Sequence, residues 1–270
     1  MIENLRGDEA ARLFLDYSGI GRKHGGLDFL RRMAMGFSRL PYENISKIMK
    51  IAGSRSAQEA LRLPTEVIVD HMSKGFGGTC FSLTFFLERI LRSLGFDAYK
   101  VMADMHSGSN VHCLVLVRSG ETIYMIDPGY ALYEVIELPA KVIRVTCPHA
   151  VVEVGHTGGG GFSLWTEDAA GRKWRYAFRD EPVDDADFER YWVGSFSKPT
   201  LHNICLTRMT ESGHIYLRKD FFKFTSRKSI EKRKVRQGVE KIIQDEFGIA
   251  GDYVRAAGRI LAERRATWRK

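Results

Sequence analysis

Cys80 is the residue whose placement first suggests chemistry. It follows Gly77-Gly78-Thr79 and opens the run Phe-Ser-Leu-Thr-Phe-Phe-Leu-Glu-Arg-Ile-Leu-Arg-Ser-Leu-Gly. Within that run Leu83, Phe86, Leu87, Ile90, Leu91 and Leu94 recur at helical spacing, and Gly95 is placed to end the helix. A cysteine at a helix N-terminus meets partial positive charge and unsatisfied N–H groups, and both favour the thiolate. The two glycines let backbone or substrate come close to the sulfur. Such a nucleophile needs a base. Residues 111–127 read as one hairpin with Ser119-Gly120 as its two-residue turn. That register pairs residues whose numbers sum to 239, so His112 faces Asp127. Directly opposed Cβ atoms lie ~4.5–5.5 Å apart, close enough for a carboxylate to fix an imidazole's tautomer and support its protonated form. The alternatives are a buried, inert thiol and a surface His–Asp pair.

The remaining cysteines, Cys113, Cys147 and Cys205, form no C-x-x-C with Cys80 or each other, so neither a metal site nor a disulfide framework is expected. Cys113 should point to the opposite sheet face from His112, and Cys205 should be buried in an apolar strand. Cys80 should therefore be the reactive thiol. His71, His106, His149, His156, His202 and His214 have no carboxylate set opposite them by so simple an argument. Gly158–Gly161 lacks the Lys-Ser/Thr and helix start of a phosphate loop and reads as a link between strands.

These residues need elements to hold them. Residues up to 96 read helical, with Leu27, Leu30, Met33 and Phe37 on one stripe and a break at Leu40-Pro41. Pro64 opens a short helix that runs to about Met72 and stops at Gly75–Gly78. From Asp97 the pattern turns to strands: Tyr99–Ala103, Val111–Val117, Thr122–Ile126, Lys141–Val145, Val151–Val154, Phe162–Trp165 and Lys173–Phe178. Asp180–Asp187 reads as a linker or helix start. Asn203–Met209 and His214–Phe224 suggest a further hairpin. Ile230, Val235, Val239, Ile242 and Ile243 suggest a helix stopped by Gly248, and a last basic helix starts near Asp252. The expected fold class is α+β: a helical region 1–96 carrying the cysteine, an antiparallel β-barrel 97–190 carrying His112 and Asp127, and an α/β lid 191–270.

Composition narrows the function. Of 270 residues 44% are hydrophobic and 27% charged, an ordinary globular balance. No apolar run approaches the ~18 residues of a membrane span, so no membrane partner is expected. The polar start Met1–Glu9 lacks the apolar stretch of a signal peptide, which points to a cytoplasmic protein with free thiols. The net charge of +8 is C-terminal: residues 217–270 hold 16 Lys and Arg against 7 Asp and Glu. That excess, around Lys232, Arg233, Lys234 and Arg236, reads as solvated helix faces or as an attractor for an anionic ligand.

Taken in order, the motifs resemble those of the arylamine N-acetyltransferases, whose fold is related to the transglutaminases and papain-like cysteine proteases. Leu40-Pro41-Tyr42-Glu43-Asn44-Ile45 is similar to the family's Pro-aromatic-Glu-Asn segment. Gly77-Gly78-Thr79-Cys80-Phe81 is similar to its nucleophile motif, with Leu94-Gly95-Phe96 at the end of the helix behind it. Ile126-Asp127-Pro128-Gly129-Tyr130 is similar to its Asp-x-Gly-aromatic segment. Trp192, Ser195–Pro199 and Glu246-Phe247-Gly248-Ile249 resemble parts of its third domain. The resemblance implies a Cys80–His112–Asp127 triad, Gly129 and Tyr130 at the substrate pocket, and a cysteine-proteinase-like fold. It implies ping-pong transfer of an acyl, typically acetyl, group from acetyl-CoA or another acyl thioester. The acceptor would be a small arylamine, hydrazine or related amine. No tightly bound cofactor and no metal are implied.

Three departures stand out. Phe76 occupies the place of the family arginine that would pair with Glu43, and Ser82 and Thr84 replace its Glu-x-Asn. Glu43 then needs another partner or must be exposed. Ala131 replaces a glycine. A transglutaminase-like amidase or peptidase with the same three residues is the alternative enzyme. A non-enzymatic module binding RNA through residues 217–270 is the third reading, and nucleic acid is the least expected partner.

Overall fold

The computed structural model describes residues 7–21, 25–198 and 201–268. The Met1–Arg6 part of the polar N-terminus, Pro199 and the last two basic residues lie outside the described residues.

Five helices come first: α1 (Gly7–Ser18), α2 (Leu27–Phe37), α3 (Ile45–Ala52), α4 (Pro64–Lys74) and α5 (Cys80–Ser93). The stripe read on α2 is buried at Leu30, Met33 and Phe37. It packs with Phe14 and with Phe86, Leu87, Ile90 and Leu91 of α5 into one apolar core. Pro64 is the first residue of α4, where its missing N–H costs nothing, and Gly75 ends the helix at φ 73°. Both ends lie close to the sequence reading.

An eight-stranded antiparallel sheet follows and curls into a nearly closed barrel. Its strands are β2 (Asp97–Met105), β3 (Gly108–Ser119), β4 (Thr122–Asp127), β5 (Leu132–Glu137), β6 (Val142–Thr146), β7 (Val151–Gly158), β8 (Gly161–Asp168) and β9 (Gly171–Arg179). The spatial order is β5-β4-β3-β2-β9-β8-β7-β6. Leu114, Leu116, Met125, Val152, Val154, Leu164 and Tyr176 fill its interior. The sequence reading lacked β5.

The β3–β4 register differs from the expected one. Val115 pairs with Ile126 and Ser119 with Thr122, so the sum is 241 and the loop is Gly120-Glu121. Gly120 takes φ 61°, the left-handed region that a glycine supplies at the first loop position.

The acidic stretch becomes the start of α6 (Asp185–Gly194), capped by Asp184, whose carboxylate accepts the Asp187 N–H at 2.8 Å. A short 3₁₀ turn follows at Ser195–Ser197. The second sheet is five-stranded, in the order β1-β10-β11-β12-β13. Its first strand, β1 (Tyr42–Glu43), comes from the N-terminal region and was not expected. The others are β10 (Cys205–Thr210), β11 (Gly213–Arg218), β12 (Phe221–Thr225) and β13 (Ile230–Lys234). The expected strand His214–Phe224 is two strands, turning where Lys219 takes φ 57°. Ile230 belongs to β13 rather than to a helix, and α7 starts later (Val239–Phe247), followed by α8 (Gly251–Trp268). Leu206, Ile215, Leu217 and Phe222 on one face of this sheet share a third core with Phe247, Val254 and Ala257 of α7 and α8. No described helix is long and apolar enough to cross a membrane, and among the described residues no cluster of three metal-ligating side chains occurs.

Candidate active site

The site forms where the N-terminus of α5 meets the barrel and β1. Cys80 is the first residue of α5. Gly77 and Gly78 are fixed by crowding. A Cβ on Gly77 would lie 1.8 Å from the Pro41 carbonyl oxygen, and one on Gly78 2.2 Å from Ser82 Oγ. The same contact brings in β1: the Glu43 N–H donates to the Gly78 carbonyl at 2.9 Å, and the Gly78 N–H to the Pro41 carbonyl at 3.2 Å. Tyr42 is thereby bridged to Gly78, two residues from the thiol.

His112 Nε2 donates to Asp127 Oδ2 at 2.7 Å, and both side chains are buried. The other carboxylate oxygen accepts the Tyr130 N–H at 2.9 Å. Nδ1 of the imidazole is left for Cys80, to which His112 is hydrogen-bonded. Extended beyond its last pair, Val115–Ile126, the 241 register sets Gly129 rather than Asp127 opposite His112 and leaves Asp127 on the diagonal. The carboxylate still reaches the ring, because a two-residue offset keeps both side chains on one sheet face. Gly129 is confined for the same reason: a Cβ there would sit 2.5 Å from Cys80 Cβ and 3.2 Å from His112 Cε1. Tyr130 stands edge-on to the imidazole at 6.2 Å between ring centres, and Tyr176 lies at 5.0 Å. All five residues singled out by sequence are therefore together.

Electrostatics favour an ion pair. Burial alone would lower the His112 pKa, but the Asp127 charge and hydrogen bond, with Cys80, push it up to about 10. The Cys80 thiol is held well below the usual range. The first cause is a hydrogen bond from Cys113. The His112 hydrogen bond and charge and the Lys47 ammonium add to it, and together they outweigh burial. Burial raises Cys113 itself well above the usual range, and raises Cys147 to about 12 and Cys205 upward. Cys205 is half-buried rather than buried.

Three contributors carry no local sequence signal of their role. Cys113 does face away from His112 along β3, but α5 packs on that side, so both reach Cys80. Lys47, on α3, is buried and donates to Ser195 Oγ at 2.5 Å, with its ammonium 4.3 Å over the Phe196 ring. Burial lowers its pKa to about 8 against the charges of Cys80 and Cys113. The third is Arg62. Glu43 is fully buried and bonded to the Ser46 N–H and hydroxyl. Arg62 donates to Ser46 Oγ at 3.0 Å and to the Gly77 carbonyl at 2.6 Å, and pairs with Asp70 at 2.8 Å. The cation missing at Phe76 thus arrives from the segment before α4, and Glu43 is neither exposed nor uncompensated. Ser82 turns back on the Thr79 carbonyl at 3.1 Å, and Thr84 donates to the Cys113 carbonyl at 3.1 Å, tying α5 to β3.

A helix-borne thiol set against a barrel-borne His–Asp pair, under a second sheet, defines a cysteine-proteinase-like α+β protein. A family model described as N-acetyltransferase matches residues 26–254, and the chain belongs to the arylamine N-acetyltransferase family. It is an N-acetyltransferase by that membership. The acetyltransferase YvcN of Bacillus subtilis (strain 168) is 23% identical over 208 residues, covering 72% of this chain and 78% of that protein. The arylamine N-acetyltransferase from Mycobacterium abscessus has the same fold, with a TM-score of 0.81 at 19% identity over 96% of this chain and 97% of that one. The arylamine N-acetyltransferase from Nocardia farcinica gives 0.78 at 20% identity, over 96% and 97%.

Proposed function

We propose that the chain transfers an acyl group, in the first instance acetyl, from a CoA-type thioester to a small arylamine or hydrazine through an acyl-Cys80 intermediate. The observation that carries this reading is the Asp127–His112–Cys80 relay at the start of α5. Cys80 Sγ, as thiolate, attacks the thioester carbonyl. The tetrahedral oxyanion forms beside the Cys80 N–H at the helix start, a preorganised donor. Collapse breaks the donor C–S bond, and the leaving thiolate takes the proton from His112. In the second half-reaction the amine nitrogen attacks the acyl carbon. His112 takes its proton, and Cys80 leaves as thiolate, regenerating the pair. Asp127 keeps the imidazole oriented throughout. Gly129 leaves the approach to Cys80 open, and Tyr130 forms a wall of the pocket. Residues 1–96 supply the nucleophile, 97–190 the relay, and 191–270 close over them as a lid.

The test is intact-mass measurement after incubation with acetyl-CoA. One acetyl group should appear in the wild type and none in Cys80→Ala. Addition of an arylamine such as aniline should discharge it as the N-acetyl product. An adduct that persists in Cys80→Ala, or one discharged only by water, would sink the reading.

A further inference from the structure

The five-stranded sheet has two unlike faces. Leu206, Ile215, Leu217 and Phe222 point into the core beneath α7 and α8. The opposite face turns towards the barrel, and one transverse row of it starts at the nucleophile. Tyr42 pairs with Thr207, Thr207 with Tyr216, Tyr216 with Lys223, and Lys223 with Lys232. Directly paired residues share a face, so these five side chains form a track running outward from beside Cys80.

The outer end of the track is a like-charge pair. Lysines directly opposed on a ladder repel one another. Among the described residues neither Lys223 nor Lys232 forms an ion pair, and the same holds for Arg175 and Lys173 on the facing strand β9. Arg175 sits at a break in the β8–β9 register, between Trp165↔Trp174 and Leu164↔Tyr176. Such bulges re-aim a side chain, and its guanidinium lies 6.0 Å from the Tyr130 ring centre, with Nε bonded to Thr166 Oγ1 at 2.6 Å. Burial lowers the pKa of Lys223. The Asp168 carboxylate opposes that shift, while Lys173, Arg175 and Lys232 add to it. Asp168 is the single acid in this group of four cations, and one of its oxygens is taken by the Ala170 N–H at 2.8 Å. The four C-terminal cations expected to act together are divided: Lys234 pairs with Asp220, and Arg233 lies over Phe222 and beside Glu231 on the other face.

The spacing fits one ligand chemistry. Strands lie about 4.8 Å apart, which places Lys223 about 14 Å and Lys232 about 19 Å from Tyr42. A phosphopantetheine arm has about thirteen bonds from thioester sulfur to phosphorus, which at roughly 1.2 Å of advance per bond reaches about 15 Å. We propose that Lys223, Lys232 and Arg175 bind the phosphate of a phosphopantetheine-linked acyl donor whose arm lies along the Tyr42–Thr207–Tyr216 track. The inference rests on the acyl-Cys80 reading above and adds the residues that select the donor.

The test compares Lys223→Gln/Lys232→Gln and Arg175→Gln with the wild type in the rate of Cys80 acetylation. The donors are acetyl-CoA, S-acetyl-4′-phosphopantetheine, S-acetylpantetheine and p-nitrophenyl acetate. The half-saturating acetyl-CoA concentration should rise tenfold or more in the double variant, with a flatter salt dependence and an unchanged maximal rate. Acetylpantetheine and p-nitrophenyl acetate, which carry no phosphate, should act equally on all forms. Equal sensitivity with the phosphopantetheine thioester assigns the contact to the phosphate shared by CoA and carrier-protein arms. Sensitivity confined to acetyl-CoA would place the contact at the nucleotide end and overturn the assignment to the arm's phosphate. Unchanged acetyl-CoA saturation, or equal losses with acetylpantetheine, would overturn the inference while leaving acyl-Cys80 chemistry intact. Failure of every donor to acylate wild-type Cys80 would overturn both.

Discussion

Asp127→Asn isolates the relay from the fold. Asp127 is buried, and its two oxygens accept from His112 Nε2 at 2.7 Å and from the Tyr130 N–H at 2.9 Å. Asparagine has the same shape but only one oxygen. If that oxygen keeps the Tyr130 N–H, the amide NH₂ faces Nε2, which must then be unprotonated. The proton moves to Nδ1 and points at Cys80, so the imidazole can no longer take a proton from the thiol. The thiolate loses its counter-charge. A thiol at its ordinary value of 9.0 is about 1% thiolate at pH 7, so the largest loss of alkylation rate is ~100-fold. Cys113 and Lys47 still favour the thiolate in the variant, which leaves an expected loss of ~10–100-fold. The assay is the rate of iodoacetamide labelling of Cys80 against pH, read by intact and peptide mass. In the wild type the thiolate limb lies well below 9.0, the direction in which the Cys80 pKa is shifted. In Asp127→Asn the limb moves up toward that value. Superimposable profiles, or four cysteines labelled alike, would refute the activated thiolate.

Gly129→Ala should abolish Cys80 acylation with p-nitrophenyl acetate, because its Cβ would fall 2.5 Å from Cys80 Cβ. A rate near the wild type would contradict that contact. Arg62→Met should cost about 3–5 kcal/mol in urea unfolding by leaving Glu43 buried beside its Ser46 partner without a cation. Adding Glu43→Gln should recover much of the loss, and a double variant no better than the single would refute the compensation of Glu43 by the Arg62 charge. Cys113→Ala should raise the lower limb of the Cys80 alkylation profile without changing the fold's circular dichroism, since it removes the hydrogen bond that is the first cause of the low thiol pKa. An unmoved limb would refute the Cys113 contribution and leave the activation to His112 and Lys47.

The helices and inner strands were legible because their apolar residues repeat with a period that burial enforces. The misread parts lacked one. β1 is two residues long and cannot display an alternation. β13 reads Ile-Glu-Lys-Arg-Lys, four charges in five positions, and at sequence level looks like a solvated helix face. It is an edge strand, where charge is the means of blocking further pairing. His214–Phe224 looked continuous because Lys219 supplies the left-handed turn residue in place of a glycine or asparagine.

The site is legible in the sequence even though the observed register differs from the expected one. The hairpin turns at Gly120-Glu121, one residue later than Ser119-Gly120, so the register sum is 241 rather than 239. An error of one in that sum would have sent His112 and Asp127 to opposite faces. An error of two preserves the face and lengthens the separation to a diagonal that an imidazole and a carboxylate can span. Side-chain parity, not the exact partner, therefore carried the inference. Arg62 shows the complementary limit. A buried carboxylate demands a cation, and the sequence states that demand at Glu43, but a guanidinium on a flexible stem can meet it from any neighbouring segment. Charge balance is thus predictable from sequence where the balancing position is not. Cys113 and Lys47 belong to the same class: their roles depend on α5 packing across β3 and α3 beneath the 3₁₀ turn, contacts that no local pattern encodes.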